Sequence, residues 1–138
     1  MIGVDQAGRV PLHYAALEND IVRVNELLAH GADPNSADAD DFTPLHLASQ
    51  QGALEAARIL VNNGAAVDPT NVHGNTPLWL AVFSSKGNGE LIQLLRSKGA
   101  DPFHRNRAGK TPVGLARQIA NYDVARFFAD LPGEPRNS

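Results

Sequence analysis

Apolar positions along this chain come in short clusters separated by glycine and by polar turns, never in long runs. Between residues 43 and 64 the pattern is clearest. Leu45, Leu47 and Ala48 form a short apolar face, Gly52 interrupts it, and Leu54, Ala57, Ile59, Leu60 and Val61 follow at helical spacing before Gly64. Two short helices are predicted. Pro44 suits a first helical position, where its missing N–H is no loss, and Thr43 before it offers a hydroxyl to an orphan backbone N–H. Gly52 and Gly64 end the two helices at positions that tolerate positive φ. The stretch 68–74, with Pro69, Asn71 and Gly74, predicts a projecting turn. Neither helix can bury its apolar side alone, so each pair must stack on a neighbour.

The neighbours are written in the same words. Val10-Pro11-Leu12-His13-Tyr14-Ala15 returns as Thr43-Pro44-Leu45-His46-Leu47-Ala48, then as Thr76-Pro77-Leu78-Trp79-Leu80-Ala81, and in worn form as Thr111-Pro112-Val113-Gly114-Leu115-Ala116. Successive prolines lie 33, 33 and 35 residues apart. A second phrase keeps step: Gly31-Ala32-Asp33-Pro34, Gly64-Ala65-Ala66-Val67, Gly99-Ala100-Asp101-Pro102. A T-P-L-H-x-A phrase at this period resembles the ankyrin repeat, and the resemblance covers about residues 5 to 131.

The resemblance implies an all-α repeat solenoid of four ankyrin repeats, each a helix-turn-helix with a projecting β-hairpin turn. One domain over residues 1–131 is expected, with repeats at about 5–37, 38–70, 71–105 and 106–131. Residues 132–138, with two prolines and a glycine, are expected to be a disordered tail. In the ankyrin family the histidine of the phrase links its own turn to the next repeat, so His13 and His46 are read as structural. Trp79 and Gly114 occupy that slot in the later repeats. In the last repeat Gln118, Asn121 and Tyr122 replace the glycine region between helices, while Phe127 and Phe128 supply aromatic bulk to close the core.

Composition narrows the functional classes. No apolar run approaches the roughly 20 residues of a membrane span, and the first residues carry neither a basic start nor an apolar signal core. Without cysteine there are no disulfides and no thiolate zinc sites. A cytoplasmic protein is expected. The net charge of −3 hides an asymmetry. Residues 1–70 carry three Arg against ten Asp/Glu, and residues 71–138 carry nine Lys/Arg against five Asp/Glu. In a solenoid this becomes an acidic end and a basic end, a field that steers a partner's approach unless it is simple drift in solvated charge.

Signatures of chemistry are missing: no nucleophile elbow, phosphate-binding glycine loop, H-E-x-x-H or EF-hand spacing occurs. The five histidines, at 13, 30, 46, 73 and 104, have no ligand spacing. No enzyme activity, cofactor or metal is expected. An acidic chain (pI ≈ 5.9) without a basic stripe or interleaved aromatics is not expected to bind nucleic acid.

A protein partner is expected instead. Ankyrin proteins usually bind with their hairpin tips and the concave side of their first helices. Carried over by repeat position, the tip residues are Arg9, Asp40, Phe42, His73, Asn75, Arg107 and Lys110, and the first-helix residues include Phe83 and Ile119. Phe42 is an aromatic at a tip position that is normally solvated, and Asp41 replaces the usual tip glycine beside it. Trp79 either fills the volume its histidine leaves or adds to the aromatic surface with Phe83. Aromatic anchors ringed by polar groups are what a binding hot spot needs. The two extra residues of the 35-residue step fall within residues 84–89, a glycine-containing segment expected to be exposed and mobile. It is either neutral or part of the binding surface, with Lys86 as its cation. The domain resembles small stand-alone bacterial ankyrin proteins, some of which are immunity proteins that neutralise a toxin. That implies a monomeric inhibitor of a toxin or effector enzyme. The alternative is a general scaffold or adaptor with several weaker partners.

Overall fold

Every proline of the repeated phrase opens a helix. The computed structural model describes residues 5–119 and 121–132, so all but the first residue of the expected tail lies outside the described residues. Three helix pairs come first: α1 (Pro11–Leu17) with α2 (Ile21–Ala29), α3 (Pro44–Gln51) with α4 (Leu54–Asn62), and α5 (Pro77–Ser84) with α6 (Glu90–Ser97). Then α7 (Pro112–Gln118) is followed by a single 3-10 turn, Ala125–Phe128. Thr43, Thr76 and Thr111 cap α3, α5 and α7, each hydroxyl accepting from the backbone N–H three residues on. Val10 has no hydroxyl to offer, and α1 starts without a side-chain cap.

The helices form two layers. First helices pack in the order α1, α3, α5, α7, and second helices in the order α2, α4, α6, with each second helix also against its own partner. The core lies between the layers and repeats with the sequence. Leu12, Leu45, Leu78 and Val113 are buried at one register position, and Ala15, Ala48, Ala81 and Ala116 at another. Leu60, Leu95 and Phe128 occupy equivalent inward positions, so the aromatic of the 3-10 turn does the work of a second-helix leucine. This is an all-helical repeat solenoid. Among the described residues the projecting tips contain no strand. The expected hairpins are hydrogen-bonded turns, too short for a ladder, with one backbone bond crossing each junction: Ala39 to Ala7 (2.9 Å), Val72 to Asp40 (3.0 Å) and Arg107 to His73 (3.1 Å), the first-named N–H donating each time.

Candidate protein-binding face

The tips are built on one polar position. Asp5, Asp38, Asn71 and Asn106 each turn a side-chain oxygen back to accept two backbone N–H groups of their own turn. These Asx turns fix the tip shape, because a short side-chain acceptor stands in for a backbone carbonyl. The position follows the repeat period, and its signal in the sequence is an Asp or Asn at each repeat step, which the sequence analysis did not single out.

Most junctions between tips are also bridged by side chains. His13 accepts the Val10 N–H on Nδ1 and His46 accepts the Thr43 N–H, which leaves Nε2 of each ring to carry the proton. Those Nε2 groups donate to the carbonyls of Phe42 and Asn75 in the following unit, each at 2.9 Å. Burial pushes the pKa of His46 down and keeps the ring neutral. The structural role expected of both histidines is therefore what the geometry gives them. Arg9 donates through Nε to the buried Asp38 at 3.2 Å and lies over the ring of Tyr14, so much of its polar capacity goes to the scaffold. Asn75 accepts from Asn106 at 2.8 Å.

Phe42 occupies the tip position that Arg9 and Asn75 hold in their own units. Where those residues reach a polar partner in the next unit, the phenyl ring cannot, and Nδ2 of the buried Asn71 has no hydrogen-bond partner. Leaving a buried donor unmet costs about 1–3 kcal/mol. The ring itself is half-buried and tilts against His46, with centroids 5.6 Å apart. Asp40, His73, Arg107 and Lys110 are exposed at their tips, and the Asp40 and His73 carbonyls carry two of the junction bonds.

The other candidates sit at the far end of the first helices. Phe83 is 69% exposed, the most exposed large hydrophobic among the described residues. Trp79, one turn earlier on α5, is half-buried and does fill the histidine slot, without the bridging hydrogen bond. Phe83 and Lys86 line one hollow of about 210 Å³ together with Leu115, Ile119 and Tyr122. Phe42 does not line it.

The segment 84–89 is exposed at Lys86 and Asn88, as expected, but its glycines are seated against the end of the solenoid. Gly89 is buried so tightly that a Cβ there would stand 2.2 Å from the Phe127 ring, and one on Gly87 would meet Tyr122 at 3.2 Å. Arg126 donates to the Gly87 carbonyl at 3.4 Å and stacks its guanidinium on Phe127. Lys86 itself is held at φ 50°, a left-handed conformation uncommon for lysine. The contacts from residues 84–89 to Tyr122 and Phe127 have no counterpart at the 33-residue step, so no periodic reading could have found them.

No group of three or more potential metal ligands comes together among the described residues. No described helix is long and apolar enough to cross a membrane.

Known proteins repeat this architecture. The family model for ankyrin repeats (3 copies) matches residues 12–106. Serine/threonine-protein kinase 12 of Arabidopsis thaliana is 35% identical over 126 residues, covering 88% of this chain and 25% of the kinase. Transient receptor potential cation channel subfamily A member 1 of Homo sapiens is 34% identical over 114 residues, or 82% of this chain and 10% of the channel. Tyrosine-protein kinase Shark of Drosophila melanogaster is 31% identical over 135 residues, or 97% of this chain and 14% of the kinase. The chain thus spans between a tenth and a quarter of the length of these relatives. Ankyrin repeats are protein–protein interaction modules, not catalytic ones. Stacked helix pairs, a proline opening each first helix with a threonine cap on three of the four, histidines bridging adjacent turns and a family match over most of the chain lead to one assignment: the chain belongs to the ankyrin-repeat family.

Proposed function

We propose that this chain is a non-catalytic module that docks one protein partner through its tips and the exposed ends of its first helices, acting in the cytoplasm as a monomer. The observation that carries the reading is the placement of Phe83. A phenylalanine left 69% exposed beside an apolar hollow, on the helix row of a fold that serves protein binding, has the character of an interface anchor. Phe42 supports it from the tips, since an apolar residue is kept there although it strands a buried amide. Arg9 and Asn75 contribute mainly by shaping the tips, while Asp40, His73, Arg107 and Lys110 form the polar rim.

Within this reading the chain serves as an inhibitor of a toxin or effector enzyme, as the resemblance to bacterial immunity proteins suggests. Its polarised charge supports this: an acidic first half and a basic second half would orient one partner and speed its capture. An adaptor role is favoured by a different observation, that the relatives carry the matching segment as a minor part of kinases and a channel. Affinity capture with the tagged chain, followed by a high-salt wash, separates the two. One stoichiometric partner bearing an enzyme domain supports the inhibitor; several substoichiometric partners support the adaptor. Replacing both Phe42 and Phe83 by Ala is expected to weaken a captured complex by several kcal/mol. A complex that survives both substitutions unchanged would sink the site assignment.

A further inference from the structure

The hollow beside Phe83 is specific enough to say what kind of segment fits it. Its walls come from three places: Phe83 on α5, Leu115 and Ile119 at α7, and Ser85 and Lys86 with Asn121 and Tyr122 where residues 84–89 meet the end of the chain. The hollow is mainly apolar and about 210 Å³, enough for one leucine- or phenylalanine-sized side chain. Tyr122 is itself 46% exposed, so the hollow is open to an incoming group.

Its surroundings are basic. Lys86 is exposed on the rim. Arg117 lines the adjoining hollow on the other side of Ile119, and Asp123 is the carboxylate that lines it too. Of the charged residues lining the two hollows, Lys86 and Arg117 are cations and Asp123 is the one carboxylate. At the opposite end of the same helix row stand Arg107 and Lys110, both exposed on the last tip. The first helices are seven or eight residues long. At 1.5 Å per residue that is about 12 Å, the reach of roughly four residues of extended chain.

We infer that the Phe83–Ile119–Tyr122 hollow takes a single apolar side chain of an extended acidic segment of a partner protein, whose carboxylates meet Lys86 at the hollow and Arg107 and Lys110 about four residues away. This rests on the protein-binding reading and gives that partner a chemistry: an acidic, extended stretch with one buried apolar residue. A basic or purely polar segment would meet like charge or leave the hollow unfilled.

The chain's single tryptophan makes this measurable, because Trp79 lies one turn from Phe83 on α5. Trp79 emission should be titrated with three synthetic nonapeptides: eight glutamates around a central leucine, nine glutamates, and eight lysines around a central leucine. The expected result is saturable binding of the first, at least about tenfold weaker binding of the second, and none of the third. Phe83→Ala and Lys86→Glu should each weaken the first by about tenfold or more, and raised salt should weaken it further. Phe83 and Lys86 are both exposed, so the variants keep the fold, as a thermal melt checks. Equal binding of the lysine peptide, equal binding without the leucine, indifference to Lys86→Glu, or no binding at all overturns the inference. The protein-binding reading fails separately, when a complex captured by the whole chain ignores Phe42→Ala and Phe83→Ala.

Discussion

Asp41 shows how single positions in this solenoid answer to backbone geometry. It sits at φ 63°, while the equivalent tip positions are glycines at φ 76°, 75° and 76° (Gly8, Gly74, Gly109). A Cβ at Gly8 or Gly74 would lie within 3 Å of backbone nitrogen in the next tip, so glycine there serves both conformation and close approach. An L-residue in the left-handed region is strained, though aspartate less than most. Asp41→Gly is therefore expected to stabilise the domain by about 0.5–1 kcal/mol, net of the extra entropy of glycine in the unfolded chain, as read from a denaturant midpoint. Burial lowers the pKa of His46, and its Nδ1 accepts the Thr43 N–H, so its ring resists protonation in the folded state. The unfolded ring takes a proton near pH 6.5, so the folded state binds fewer protons below that value. Stability from this group is complete above pH 6.5. It falls as the pH drops below 6.5 and levels off beneath the lowered folded value, at most about 1.4 kcal/mol per pH unit. Unfolding midpoints between pH 5 and 8, with the His46 ring followed by NMR, check the window. Much of this scale was legible: Asp41 in the glycine slot and His46 in the histidine slot stand out against the repeat. The orphaned Asn71 amide did not, because it depends on which side chain faces it across the junction.

At the scale of elements, the helices were the easy part and the last unit the hard one. Proline marks the starts of α1, α3, α5 and α7, and left-handed glycines stand just after α2, α3, α4 and α6, since each device acts within one turn of chain. The closure of the solenoid is not local. Residues 84–89 meet Tyr122 and Phe127 across some 35 residues, and Arg96 clamps the end by donating twice to Asp130 at 2.9 Å while lying over Phe128. Gly89 is the tightest point of that closure. Gly89→Ala must push the Phe127 ring out of its seat and loosen the Arg126 stack upon it. The expected cost is about 1–3 kcal/mol. The effect should be confined to α7 and the 3-10 turn, visible as amide chemical-shift changes there and not in α1 to α4. A neutral outcome would mean that the ring swings aside freely and that residues 84–89 are not held by the end of the chain.

For the whole molecule, stacking makes stability a matter of junctions, and the junctions differ. The first two carry a histidine bridge each, and Arg9 with Asp38 adds an ion pair to the first. The third has Trp79 in place of histidine and keeps the Asn75–Asn106 link. Beyond it, among the described residues, a single 3-10 turn covers the core, where α2, α4 and α6 cover the earlier units. Free energies of local opening should therefore fall along the chain from α3 and α4, which have neighbours on both sides, to α7, which has one. Hydrogen exchange under native conditions should show amides of α3 and α4 protected near the global limit and those of α7 exchanging first. Leu45→Ala, which hollows the central unit, is expected to lower protection across α1 to α5 by about 2–5 kcal/mol. Phe83→Ala, on the open face, should shift it by less than about 0.5 kcal/mol. Equal protection of α7 and α3 would show the Arg96–Asp130 clamp making the described chain one cooperative block. With the expected gradient, the unit that opens most readily is the one that carries half of the Phe83 hollow, so a ligand seated there should slow exchange in α7 more than anywhere else.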